Sequence, residues 1–189
     1  MKKYKKLITG FILFLVLATA FISVATIFLI PYNAKTEKIH KTLYGNDEDM
    51  DKVDVCLIGG SHGLNAFNPS VMWGTEHIRA YNFCYAGETL ALTKYYLEEL
   101  YKKRDFDLVV VDAYYAGLND RWFGQTDYIF DVVSKMRLNA SKVNFVSNHI
   151  DGAIKYEYYF PIIRYHTRWG KVTSADMTRS ANLADDYLL

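Results

Sequence analysis

With 189 residues, 51% of them hydrophobic, and a formal net charge of +1, the chain has the bulk for one ordinary domain and not the composition of a disordered polymer. The near-balance of charge leaves no basic surplus of the kind that marks nucleic-acid binding. Its two cysteines, Cys56 and Cys84, stand in no metal-ligand spacing and read as small buried hydrophobes; a bridge between them requires neighbouring strands of suitable geometry.

The first element is an uncharged run, Leu7 to Ile30, interrupted only by Thr9, Gly10, Thr19, Ser23 and Thr26. As a helix rising about 1.5 Å per residue it is long enough for a hydrocarbon core of about 30 Å. Lys2, Lys3, Lys5 and Lys6 precede it, so the positive-inside rule predicts a cytoplasmic N-terminus and an extracytoplasmic remainder, held in the cytoplasmic membrane by a single pass. Ala18-Thr19-Ala20 imitates a signal-peptidase site, but the apolar run continues well past it, beyond the about 7–15 residues of a signal h-region. The expectation is an uncleaved signal-anchor over residues 1–30.

Residues 31–52 are polar, centred on Gly45-Asn46-Asp47-Glu48-Asp49, and read as a linker with at most a helical turn around Lys35 to Leu43. Residues 53–189 read as one α/β domain. Val53 to Ile58 is an apolar strand of the kind buried on both faces in parallel sheets. It stops at Gly59 and Gly60, which permit a sharp turn, and delivers Ser61 and His62. Asn68-Pro69 opens a short helix, Asn as cap and Pro at the first helical position. Ile78 to Cys84 is a second strand, followed by Tyr85-Ala86-Gly87-Glu88. Thr89 to Arg104 is an amphipathic helix, with Leu92, Tyr96, Leu97 and Leu100 on its apolar face and Lys94, Glu98 and Lys102 on its wet one. Leu108 to Val111 is a third buried strand. A helix over Asp127 to Arg137 follows, Ser141 to Asn148 is readable as helix or loop, and Ile154 to Trp169 is dense in aromatics. Strands alternating with helices predict an α/β fold, a three-layer sandwich around a parallel sheet, preceded by one transmembrane helix.

Gly59-Gly60-Ser61-His62-Gly63 fits the Gly-x-Ser-x-Gly nucleophile elbow, in which a strained turn exposes the serine oxygen. The same residues also fit a plain strand-turn junction. A phosphate-binding loop is a poor fit, since neither Gly-x-x-x-x-Gly-Lys-Ser/Thr nor Gly-x-Gly-x-x-Gly is present. The elbow follows the first strand of the domain, unlike its place in α/β-hydrolases.

A first strand ending in Gly-x-Ser-His, a second ending in Tyr-Asn-x-x-x-x-Gly (Tyr81 to Gly87) and an apolar third strand resemble the SGNH (GDSL-like) hydrolase superfamily. More narrowly they are similar to its membrane-anchored branch, which forms or cleaves acyl esters on cell-surface polysaccharides. Tyr165-His166-Thr167-Arg168-Trp169 is similar to a segment of that branch. The resemblance implies a flavodoxin-like sheet, Ser61 as nucleophile, Gly87 as an oxyanion-hole amide, and Asn119, in Gly117-Leu118-Asn119-Asp120, as a further donor. It implies no cofactor and no metal, an acyl ester (acetyl above all) of an extracytoplasmic glycan as substrate, and a membrane-bound acyltransferase partner if the protein transfers acyl groups.

The chain departs from that pattern at the general base, since no Asp-x-x-His occurs in it. His62 adjoins the nucleophile, His77 and His149 lack an acid at the required spacing, and His166 has Ile163 where the aspartate belongs. Without a base a serine hydroxyl is a weak nucleophile, and general-base help is worth about 10²–10⁴ in rate. The sequence is expected to be the N-terminal part of a longer protein or a degenerate copy, and two readings follow: an esterase or O-acyltransferase, or a non-catalytic anchored module binding glycan or protein.

Overall fold

The computed structural model describes residues 2–45, 50–114 and 127–178. The chain divides into two compact units, Lys35–Tyr158 and Met1–Ala34 with Tyr159–Leu189.

The larger unit is built on a three-stranded parallel sheet in the order β2-β1-β3, with β1 Val55–Gly59, β2 Ala80–Cys84 and β3 Leu108–Val111. Val55 lies opposite Ala80 on one side and Leu108 on the other, and Gly59 lies opposite Cys84. Every residue of β1 is buried, as expected of a central strand with neighbours on both edges. β3 departs from the expected buried strand. Leu108 is 54% and Val111 41% exposed, because β3 is an edge of the sheet among the described residues. The thiols stay free: the register sets Cys56 beside Tyr81 and Cys84 beside Gly59, so the two side chains are staggered along adjacent strands.

Helices fill the connections. The first, α1, is Lys2–Leu29, and α2 is Ala34–Tyr44; α3, Ser61–Ala66, and α4, Pro69–Glu76, link β1 to β2, and α5, Leu90–Leu100, links β2 to β3. Asn68 caps α4 as its sequence suggests, its side chain accepting the amides of Ser70 and Val71 at 3.0 and 3.4 Å. Leu92, Tyr96 and Leu100 of α5 are buried, and so is Glu99, whose carboxylate is held by Lys102 and by Asn139 at 3.0 Å. Part of the stretch expected as a linker is an integral helix: Thr36, Ile39, Thr42 and Leu43 of α2 are completely buried. After β3 come α6, Asp127–Lys135, and α7, Ala140–His149, the latter covering the stretch readable as helix or loop. Lys142 of α7 is buried and donates to the carbonyls of Ser134 and Met136 at 2.9 and 3.1 Å, closing the C-terminal end of α6 with a positive charge. Burial lowers its ammonium pKa to about 8.

The larger unit closes in α8, Lys155–Tyr159; in the smaller unit α1 packs with two short helices, α9 Ile162–Tyr165 and α10 Ser174–Thr178. Tyr4–Leu29 is long and apolar enough to cross a membrane, and only 11% of its most apolar window is buried. Thr9, Thr19 and Thr26 donate their hydroxyls to the carbonyls four residues earlier, at 2.7–2.9 Å, so these three hydroxyls are satisfied within the helix.

Candidate active site

Ser61 owes its position to two glycines and an aspartate. Gly59 ends β1 at φ +144°, a conformation that side chains other than hydrogen rarely adopt. Space forbids a side chain there as well, since an added Cβ would lie 2.6 Å from the Cβ of Asp112. The Gly59 carbonyl accepts the Tyr85 amide at 2.8 Å and the Ile58 carbonyl accepts the Asp112 amide at 2.8 Å, so the ends of all three strands are stitched together. Gly60 then caps α3, and Ser61 is its first residue, half-buried, where the sequence had suggested only a turn. Ser61 accepts the side-chain amide of Asn65 at its carbonyl oxygen, 2.8 Å.

Asp112, the residue directly after β3, clasps this turn. Its Oδ2 accepts the Gly63 amide at 2.8 Å and its Oδ1 accepts the Tyr114 amide at 3.0 Å. Desolvation pushes its carboxyl upward, but the amides of Tyr114, Gly63 and Gly60 and the neighbouring His62 outweigh it and hold the pKa below the usual carboxylate value. Gly63 is buried between the strand ends; a Cβ there would stand 2.7 Å from Cys84 Sγ and 3.1 Å from Asp112 Cβ. Asn82 of β2 completes the support, its amide nitrogen donating to the Phe67 carbonyl at 2.9 Å while its oxygen accepts the Cys84 amide at 3.1 Å. The exposed His62 ring stacks on Tyr114, centroids 3.5 Å apart and planes 26° from parallel.

Gly87 lies in the loop after β2. The Glu88 amide donates to the Tyr85 carbonyl at 3.1 Å, closing a turn in which Gly87 takes φ +82°, and a Cβ on it would press on the Tyr128 ring at 3.3 Å. Beside it Glu88 is 1% exposed and accepts the Thr93 hydroxyl at 2.7 Å. Its other oxygen, and the buried hydroxyls of Tyr96 and Tyr128, make no well-formed hydrogen bond. Burial drives the Glu88 carboxyl pKa well above the usual value, against the pull of the Thr93 hydroxyl, the Tyr85 backbone amide and Lys35. Lys35 of α2 reaches the same loop, donating to the Ala86 carbonyl at 3.3 Å with its ammonium 4.7 Å from the centre of the Tyr128 ring.

The structure therefore brings the Ser61 turn, the end of β2 and Asp112 together at the carboxyl ends of the strands, where open α/β sheets place their chemistry. Gly87 sits three residues beyond β2, in the loop that follows it. Asn119 lies outside the described residues. The five histidines are engaged separately: His40 interacts with the Val132 carbonyl at 3.3 Å, His62 stacks on Tyr114, His77 is the left-handed C-cap of α4 at φ +56°, His149 ends α7 against the ring of Phe145, and His166, in the smaller unit, interacts with the Ile163 carbonyl at 2.7 Å. No group of three or more His, Cys, Asp or Glu side chains able to hold a metal occurs among the described residues. Reading from sequence overlooked Asp112 and Glu88. The available signal for Asp112 was an acid immediately following an apolar parallel strand; for Glu88, an acid directly after a turn glycine and just before a helix cap.

Comparison of the chain with protein-family models, with curated proteins and with solved structures finds no match.

Proposed function

We propose that this chain is an SGNH-type serine esterase or O-acyltransferase module, anchored by α1 with its α/β unit on the extracytoplasmic side, and acting on acyl esters of envelope glycans. The observation that carries the proposal is Ser61 at the first position of a helix, just past a positive-φ glycine at the end of the central parallel strand. In this reading the sheet is the core of a three-layer sandwich, the Ser61 hydroxyl attacks the acyl carbonyl, and the amides of Ser61 and Gly87 receive the oxyanion. Acetyl is the simplest acyl group to fit, and transfer would require a membrane-bound acyltransferase partner to supply it. Asp112 acts on the turn: by holding the Gly63 amide it fixes the serine without serving as its base.

The alternative is a non-catalytic anchored module of the same fold that binds glycan or protein. The engagement of His62 by Tyr114, with no acid–histidine pair at the family's spacing, favours it. A fluorophosphonate probe separates the two. The esterase reading expects covalent labelling of the full chain that maps to Ser61 and disappears in Ser61→Ala. Absence of labelling in folded protein would leave the binding module. Ester turnover by this chain is expected to be slow, within about 10²–10⁴ of loss, because no histidine is set as base in the family's manner.

A further inference from the structure

The aromatic-rich segment after Tyr159 has a use that the serine chemistry does not require. Within the smaller unit its short helices α9 and α10 pack on α1, whose buried residues lie near its C-terminal end. Ala25, Leu29 and Ile30 are buried, whereas no residue from Tyr4 to Val24 is. The junction is polar and closely tied. Arg168 donates to the Leu29 carbonyl, capping one of the backbone acceptors that a helix end leaves open. The same guanidinium pairs with Asp176 at 3.1 Å, and Asp176, 2% exposed, also accepts the Tyr32 amide at 2.6 Å and the Thr173 amide and hydroxyl at 2.8 and 2.9 Å.

The outside of this collar is apolar and cationic. Phe160, Ile163, Trp169 and Met177 are 57%, 46%, 60% and 64% exposed. Arg164 and Lys171 stand among them, and the one carboxylate of residues 159–178, Asp176, is turned inward. An exposed Trp and Phe beside basic side chains, next to the end of an apolar helix, is the composition of a membrane–water interface, where amphipathic rings sit at headgroup level and cations meet phosphate. The dimensions agree. The uncovered stretch Leu7–Val24 rises about 27 Å at 1.5 Å per residue, close to the hydrocarbon thickness of a bilayer of about 30 Å, so the collar begins where the hydrocarbon ends.

We infer that residues 159–178 form an interfacial collar that seats in the phospholipid headgroup layer around the C-terminal end of α1, with Trp169 as its aromatic anchor. The inference rests on the reading of α1 as a membrane span. It is tested with the full chain in phosphatidylcholine vesicles containing phospholipid brominated either near the carbonyl end or near the methyl end of its acyl chain. In a Trp73→Phe, Trp122→Phe background Trp169 is the sole indole, as the chain has three tryptophans. Carbonyl-end bromines are expected to quench Trp169 at least about twofold more than methyl-end bromines. A companion variant carries Leu17→Trp with all three native tryptophans changed to Phe, and methyl-end bromines should quench it the more strongly. If Leu17→Trp is quenched and Trp169 emits as in water, the collar is overturned and the span stands. If neither is quenched in vesicle-bound, folded protein, both fall. Stronger quenching of Trp169 from the methyl end would place it inside the hydrocarbon and overturn the headgroup assignment.

Discussion

β1, Val-Cys-Leu-Ile-Gly, and β3, Leu-Val-Val-Val, are two apolar strands of one parallel sheet, yet all of β1 is buried while Leu108 and Val111 of β3 are 54% and 41% exposed. The difference is one of place in the hydrogen-bond order and not of composition. β1 has a partner on each edge; β3 has one among the described residues. The central strand therefore ends in a turn fixed from two sides, by the Tyr85 amide after β2 and by Asp112 after β3, and the candidate nucleophile sits on that turn. An apolar run foretells a strand. Only the topology tells how firmly its end is held.

The sharpest way to break the contrast is Gly59→Ala, at the end of the central strand. A methyl at φ +144°, 2.6 Å from Asp112 Cβ, is expected to destabilise the protein by about 3 kcal/mol or more in urea unfolding. A loss under about 1 kcal/mol would mean that the clasp is loose. Next is a matched pair of truncations. Leu57→Ala in β1, where the side chain is 1% exposed, should cost about 3 kcal/mol, and Val111→Ala in β3 under about 1. Equal losses would show that β3 is as buried in solution as β1.

A smaller effect, about 1–2 kcal/mol, is expected of Asp112→Asn, which keeps the shape and removes the charge from the hydrogen bonds to Gly63 and Tyr114. Because the folded pKa of Asp112 lies below its ordinary value of 3.8, its contribution is present above that pH and is lost as pH falls through the folded value. The variant should therefore differ from the parent at neutral pH and converge with it in acid. The opposite sign belongs to Glu88, whose folded pKa is raised above 4.5. The folded protein retains a proton that the unfolded chain gives up, so stability falls as pH rises from about 4.5 toward the folded pKa. Glu88→Gln, which can still accept from Thr93, should flatten that fall and change stability at neutral pH by about 1 kcal/mol, read as midpoints across a pH series. A retained slope would assign it to another group.

Much of the sheet was legible because its signals are local. β3 falls on Leu108–Val111 as the apolar run suggests, β1 and β2 lie within two residues of their expected limits, and the Asn68 cap stands where its side chain predicts. α2 was hard to read because its buried face is carried by Thr36, Ile39, Thr42 and Leu43, half of it threonine, in a stretch otherwise rich in lysine. The roles of Asp112 and Lys142 were not legible for a different reason. Each acts on backbone from a separate element, Asp112 on the amide of Gly63 and Lys142 on the carbonyls of Ser134 and Met136, and although the place of Asp112 after a strand was visible, which backbone groups such side chains meet leaves no pattern in the chain. The serine turn itself was visible; what steadies it was not.

The two thiols carry a practical consequence. Cys56 and Cys84 are sealed in the sheet, and burial pushes both pKa values up to about 12, so at neutral pH neither offers a thiolate. With no other cysteine in the sequence, the folded native chain is expected to be silent toward maleimides and disulfide reagents. A Ser61→Cys variant would then report on its own position without any background to remove. The ionisation and accessibility of the candidate nucleophile's site could be titrated directly in the folded protein, without a substrate.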